Sequence, residues 1–579
     1  MRRSRDCFHG LSVIFLQLEV ETGLGRKVKK GTRSIFQRTI NDNLKHPNEE
    51  IIQQTLEAFR AFAVSYYDSE TWVKKVHTLV IEPLMKELES SGNPAIRRGY
   101  TLALGNFPRH LIVDQYEAIG DLIMKQIPLE ANPADRDAES RRNGVRALID
   151  LCESMGAKNL TDKFIQKAFK SFLLGVEDYA TDNRGDVGLW VREAAMDAMK
   201  RFIILLAPTG RLAKEMAATM MKGLLRQANE KIDRVREHAG KNLEELLNNE
   251  SVLSTSCLPY QREMRKILLT NDESRDVEQT LVTNDDDTQC DHESSKPEPT
   301  RKTAVNWANP DVTFPLFAQL LHFSDLRTAI LAGMVVSMGG LTRYVASASS
   351  DAVISFLKKH PEDKDAVAHS ILQVMRDNHK VKRMITPALK MLTILISHES
   401  FSDLQPGKST FVGDLILILQ NELRGSKDIK KLLAAVPLVV QLIPFEEPAR
   451  KNAFRIAFGL LLNGFPAVRI QGAEQLVSVV QTYGEDIMPE ERVDEVLDLL
   501  VDCSWGERLD DVRDTVNQLR DLFGIKPLHK KKKAVPEATK PEVPSHQEKP
   551  VSKESIDDEK NTPQQDADVE DDDEADIQD

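Results

Sequence analysis

From Asp186 to Phe202 the chain reads DVGLWVREAAMDAMKRF, and Val187, Val191, Ala195, Ala198 and Phe202 fall at helical spacing on one face. Asp186 stands where an N-cap is expected, with a carboxylate able to accept from the unpaired N–H groups of a first turn. Two alanines on the apolar face leave room for another helix to approach closely. Arg192 follows Val191 and borders that face. The arrangement recurs: Arg97 accompanies Ile96, Tyr100, Ala103 and Phe107, and Arg236 accompanies Val235, Ala239, Leu243 and Leu246. Arg469 accompanies Val468, Gly472, Leu476 and Val479, and Arg513 accompanies Val512, Val516, Leu519 and Phe523. A degenerate copy runs from Asp137 through Arg142 to Leu151, with Arg141 in the place of the apolar residue.

Arginines of neighbouring copies lie 44 to 50 residues apart. A period of that length, built from paired helices, is the signature of HEAT and armadillo arrays, in which no unit buries its apolar face alone and stacking builds the core. The sequence therefore predicts an all-α protein, an α-solenoid of HEAT/armadillo-type repeats. The reading divides the chain into an uncertain N-terminal segment 1–44, a HEAT array 45–268, a disordered acidic linker 269–303, a second HEAT array 304–525 and a disordered tail 526–579. In the first array helices are expected over 50–67, 71–90 with a kink at Pro83, 114–126, 159–179, 209–227 and 231–249. In the second they are expected over 349–360, 362–377, 380–397, 409–424, 426–443, 446–463, 466–483 and 489–502, then from Asp511 to near Gly524. Gly339-Gly340 reads as a helix end. The linker TNDDDTQCDHESSKPEPTRK has almost no large apolar residue and cannot offset its ordering entropy by burial.

Composition narrows the function. The formal net charge of −13 over 579 residues argues against general nucleic-acid binding, which needs clustered basic charge. The five cysteines, Cys7, Cys152, Cys257, Cys290 and Cys503, are scattered and unpaired by spacing, which suits a reducing compartment. No apolar run reaches the roughly 20 residues of a membrane span. The basic N-terminus followed by Leu11 to Leu18 resembles a signal peptide, but Gln17 interrupts the run and no small-residue cleavage site follows, so a cytoplasmic protein is expected. His529 to Lys533 reads as part of a solvated tail, with a nuclear-import signal as the alternative.

Catalytic constellations are missing from the pattern. There is no HExxH, GxSxG, GxGxxG or CxxC, and the glycine/lysine loop at 23–31 lacks P-loop spacing. Cys290 and His292 have too few neighbours of ligand type for a metal centre. The expectation is no enzyme, no cofactor and no metal, but a binding scaffold.

Three segments narrow this further: NPAIRRGYTLALGNFP (93–108), RGDVGLWVREAAM (184–196) and FPLFAQLLHFSDLRTAILAGMVVSMGGLT (314–342). They resemble the tubulin-folding cofactor D (tubulin-specific chaperone D) family, in its C-terminal half, with weaker similarity from about Lys45 to Phe523. Family members are longer, with more repeats ahead of this part. The resemblance implies a non-enzymatic chaperone that handles β-tubulin after the chaperonin and assembles the heterodimer with cofactors E and C. It further implies an Arf-like small GTPase as partner, stimulation of tubulin GTP hydrolysis with cofactor C, and microtubule association. A generic HEAT scaffold or nuclear-transport-type adaptor is the alternative. Arg97, Arg192, Arg236, Arg469 and Arg513 are expected to brace neighbouring repeats. Arg184, Asp186 and Trp190 are the candidates for partner binding, because their loop departs from the plain repeat.

Overall fold

The computed structural model describes residues 30–66, 70–269, 305–339 and 342–525. The N-terminal stretch with Leu11 to Leu18, the acidic linker from residue 270 onward and the tail lie outside the described residues.

The chain folds as successive helices α1 (Lys30–Leu44), α2 (Glu49–Tyr66), α3 (Glu70–Val76), α4 (Glu82–Ser90), α5 (Pro94–Gly105), α6 (Arg109–Ile112), α7 (Tyr116–Met124), α8 (Ala138–Met155) and α9 (Asp162–Val176). A two-strand hairpin, β1 (Thr181–Asp182) with β2 (Gly185–Asp186), precedes α10 (Gly188–Leu206), α11 (Lys214–Gln227), α12 (Asp233–Asn248), α13 (Glu250–Leu253) and α14 (Gln261–Leu269). Then come α15 (Pro310–Ala318), α16 (Ser324–Ser337), α17 (Arg343–Lys359), α18 (Lys364–Asp377), α19 (Lys382–Ser397), α20 (Phe411–Leu423) and α21 (Ile429–Gln441). The last are α22 (Ala449–Leu461), α23 (Pro466–Ile487), α24 (Val493–Asp502) and α25 (Leu509–Leu522).

Helix starts follow the local chemistry. Asn93 accepts from the N–H of Ala95 at 2.9 Å with Pro94 in the first turn, where a missing N–H costs nothing. Asp137, Thr161, Asn249, Asn309 and Asp428 cap their helices in the same manner. Pro83 does more than kink a helix. Its ring excludes the carbonyl four residues back, and the turn ahead of it, His77–Ile81, widens into a π-helix that joins α3 to α4.

Stacking builds the solenoid. One row runs α5, α8, α10, α12, each packed on the next, and a second runs α7, α9, α11. Beyond, α16, α19, α21 and α23 form one row, and α16, α18, α20 and α22 another. Core positions read from the sequence are buried: Val191, Ala195, Ala198 and Phe202 are fully enclosed, as are Val235, Ala239, Leu243 and Leu246. Phe172 and Phe202 meet edge to face at 5.2 Å between adjacent helices. Each such side chain contributes about 1.5–3 kcal/mol by leaving water.

The helices on the two sides of residues 270–304 pack directly on each other. α16 lies along α11, and Ser337 donates to the carbonyl of Asn229 at 2.8 Å. The described residues on both sides of the linker thus belong to one compact unit. Among the described residues no helix is long and apolar enough to cross a membrane.

Candidate functional site

The segment ahead of α10 differs from an ordinary helix start. The expected cap, Asp186, is paired in the β-hairpin opposite Thr181, and Val187 is the cap residue instead. Asp186 still accepts from the N–H of Leu189 at 3.2 Å. Gly185 has φ +95°, a left-handed conformation that glycine adopts without strain. Gly188 sits against Asp178: a Cβ there would lie 2.5 Å from its carbonyl oxygen, while the Gly188 N–H donates to Ala180 at 2.9 Å. The Gly-Asp-Val-Gly motif is therefore first a device for folding this turn.

The turn encloses Arg192, which is fully buried. Its guanidinium donates to the Asp178 carbonyl at 2.7 Å and to the two Asp186 carboxylate oxygens at 3.1 and 2.9 Å. It also lies 4.2 Å from the centre of the Tyr179 ring, over which Arg383 sits at 3.3 Å. Burial works against the cation, but the Asp186 bond and the neighbouring charges raise the Arg192 pKa above its ordinary value.

Arg97, Arg141, Arg236, Arg327 and Arg469 occupy the fourth position of their helices, counted from the cap. Side chains lean toward the helix N-terminus, so an arginine there runs back past its own helix start. Arg236 donates to the carbonyls of Glu230 and Lys231 at 2.9 Å, and onward to Ala308 at 2.6 Å. Arg327 donates to the Leu321 carbonyl at 2.6 Å and to Asp363 at 3.2 Å. Arg469 donates to the carbonyls of Asn463 and Trp505, both at 2.9 Å, and to that of Glu507. Arg97 and Arg141 share Glu130, and Arg141 continues to the Asp178 carboxylate at 2.7 Å.

Two residues of the repeat pattern stand elsewhere than their letters suggest. In the degenerate copy it is Arg141 that is buried, whereas Arg142 bonds Glu49 at 2.9 Å. Arg513 lies one position later than the fourth and is 46% exposed, with Asp510 of its own helix at 3.2 Å.

The outward part of the turn carries Arg184, whose side chain is 46% exposed. It donates to Glu139 and Asp182, each at 2.7 Å, and lies 5.0 Å from the ring centre of the half-buried Trp190. Bonds from Asp182, then Glu139, raise its pKa. Arg98 joins the patch through Asp137, at 2.8 Å, and Glu139. Arg184, Asp186 and Trp190 are thus brought together, with Asp186 turned toward Arg192 and the Arg184–Trp190 pair toward the surface. Glu139, Asp178, Tyr179 and Arg383 complete the site and were not singled out from the sequence.

Nearby, a groove of about 740 Å³ runs between α2 and the row α5, α8, α10, lined by Glu49, Glu57, Arg60, Arg146, Asp150 and Arg201 among others. Charged rungs cross successive helices of this row. Arg201 meets Asp150 at 2.6 Å and Glu153 at 2.5 Å, Arg234 meets Glu193 at 2.6 Å, and His238 meets Asp197 at 2.9 Å. Burial, opposed by Arg201, pushes the Asp150 carboxyl up. Burial would also raise Asp197, but bonds from His238 and Asn242 hold it below its usual range.

Comparison with known proteins shows what this chain is similar to. Residues 218–431 match the model of the tubulin folding cofactor D C-terminal region. A tubulin-specific chaperone D of Dictyostelium discoideum is 23% identical over 541 residues, covering 84% of this chain and 34% of that protein. A tubulin-folding cofactor D of Schizosaccharomyces pombe is 22% identical over 370 residues, covering 62% and 30%. The chain spans about a third of the length of these curated relatives. Among solved structures, importin beta aligns over 85% of this chain and 57% of its own, at 15% identity and a TM-score of 0.33. The chain is thus similar to tubulin folding cofactor D, and residues 218–431 match the C-terminal region of that family.

Proposed function

We propose that this chain is a non-enzymatic chaperone or scaffold in tubulin folding. The observation that carries the reading is the family match over residues 218–431, together with relatives named tubulin-specific chaperone D and tubulin-folding cofactor D. An array of stacked helices with long paired-charge rows offers extended surface for a protein client, and such arrays serve as binding surfaces.

In this reading the chain binds β-tubulin and works with cofactors E and C as the α/β heterodimer assembles. It contributes with cofactor C to stimulating tubulin GTP hydrolysis and has an Arf-like small GTPase as a further partner. The setting is the cytoplasm, with microtubule association. The Arg184–Trp190 surface and the groove beside Arg60 and Arg146 are the proposed contact regions, and Arg97, Arg192, Arg236 and Arg469 are proposed to brace the repeats, a role that the exposed Arg513, paired within its own helix, does not share.

Pull-down of the purified chain with β-tubulin, cofactor E and cofactor C tests the reading. Retention of β-tubulin, and faster GTP turnover on adding cofactor C, is the expected result. Failure to retain any of the three overturns it.

A further inference from the structure

Two connections in the second half of the stack place histidines side by side. His322 ends the 3-10 turn after α15, and His360 ends α17 just before the turn Pro361–Asp363 that leads into α18. Their rings are 4.2 Å apart, centre to centre. A ring nitrogen of each and a carboxylate oxygen of Glu362 lie within 4.8 Å of one another. His322 and Glu362 are exposed and His360 is half-buried, so the three donors are accessible from solvent.

The surroundings suit an ion. Asp363 lies 2.5 Å from Nδ1 of His322 and is itself held by Arg327 at 3.2 Å. A ligating histidine commonly gives its other ring N–H to a carboxylate, which fixes the tautomer and the ring. Phe356 packs against both imidazoles, at 5.1 and 4.8 Å, and limits their motion.

We propose that His322, His360 and Glu362 form a binding site for a zinc-class divalent cation, with Asp363 as the orienting group. Two imidazoles and one carboxylate suit Zn²⁺ better than Ca²⁺ or Mg²⁺, which take oxygen ligands. Tetrahedral bonds of about 2.0–2.1 Å put donors about 3.3 Å apart, so the side chains close inward on loading and water completes the shell. Because the donors come from the α15–α16 and α17–α18 connections, the ion would cross-link two helix pairs beside Arg327.

Titration of the EDTA-stripped full chain with ZnCl2 by calorimetry, and with CoCl2 by visible absorption, tests this. The expected result is a saturable site of one equivalent, with the intense visible band of four-coordinate cobalt and a raised melting temperature. His360→Gln and, separately, Glu362→Gln lose the band, and Asp363→Asn weakens binding roughly 10- to 100-fold. Glu362 is exposed, so its variant keeps the fold even where a His360 variant does not. If the Glu362 and His360 variants titrate like the unaltered chain, the metal sits on other groups and the proposal fails. It fails equally if the chain gives no cobalt band.

Discussion

Arg192 donates to both carboxylate oxygens of Asp186, at 3.1 and 2.9 Å, across a turn that buries the arginine and leaves 27% of the aspartate side chain exposed. Removing one partner of a buried pair strands the other charge away from water. Asp186→Ala is therefore expected to lower unfolding free energy by about 2–3 kcal/mol, near the low end for breaking such a pair because the carboxylate is partly solvated. Asp182→Ala, on the exposed strand of the same hairpin, should change it little. Denaturant melts followed by circular dichroism compare the two, and equal losses would contradict the account.

Arg469 and Arg513 share a motif but not a position. Arg469 is buried and donates to three backbone carbonyls, whereas Arg513 is 46% exposed beside Asp510. Arg469→Ala should destabilise by about 3 kcal/mol, since it leaves carbonyls without donors. Arg513→Ala should fall within about 0.5 kcal/mol of the parent. Thermal melts of the two variants decide the matter.

Two groups set opposite pH dependences. Burial would raise Asp137, but bonds from Arg98 and then Ser140 hold it at about 2, below its ordinary 3.8. Its folded pKa is the lower, so its contribution is complete above 3.8 and is lost as pH falls toward 2. His238 is the reverse. Burial lowers its pKa, but Asp197 more than compensates and lifts it above 6.5. Its contribution is complete below 6.5 and is lost as pH rises through the raised value. Asp137→Asn should flatten the acid limb of a stability–pH curve, at a neutral-pH loss of about 1–2 kcal/mol. His238→Gln should flatten the decline that sets in as pH rises above 6.5. Melting temperatures across pH 2–9 check both, and unchanged limbs in the variants would refute the assignments.

The Arg184–Trp190 pair, with Arg184 outermost, is the test of the proposed contact surface. Arg184→Ala combined with Trp190→Ala is expected to weaken capture of β-tubulin by about tenfold or more, since arginine and tryptophan are the side chains most often found to dominate interfaces. Helical circular dichroism should be retained. Loss of helicity instead would make the pair structural.

Much of the fold is visible in the periodicity. Val235, Ala239, Leu243 and Leu246 announce a buried face because four residues of one type recur at helical spacing, a local property. Gly339-Gly340 was read as a helix end, and α16 does end at Ser337, although Gly340 is outside the described residues. The shift in composition at 269–303 marks an interruption in the sequence, but composition does not reveal that α11 and α16 pack on each other. The site was less legible. Nothing near Tyr179 in the chain points to Arg383, more than two hundred positions away, because such neighbours are set by stacking. The exchange of roles between Arg141 and Arg142 depends on which of them faces Glu130 and Asp178, and adjacent identical letters do not disclose that. Asp186 was read as a cap because an aspartate ahead of an apolar stripe usually is one; here Gly185 and Gly188 bend the chain so that it serves the hairpin first.

The braces made by Arg236 and Arg469 are directed at main-chain carbonyls of the neighbouring segment, Ala308 for one and Trp505 and Glu507 for the other. Every residue type presents that same oxygen. A receiving segment is thus free to exchange its side chains over evolutionary time without loosening its attachment, provided its backbone path is kept. An arginine of this kind depends on its own identity and hardly at all on the side chains of the segment it holds, so a stack so joined keeps its joints when its surface residues change.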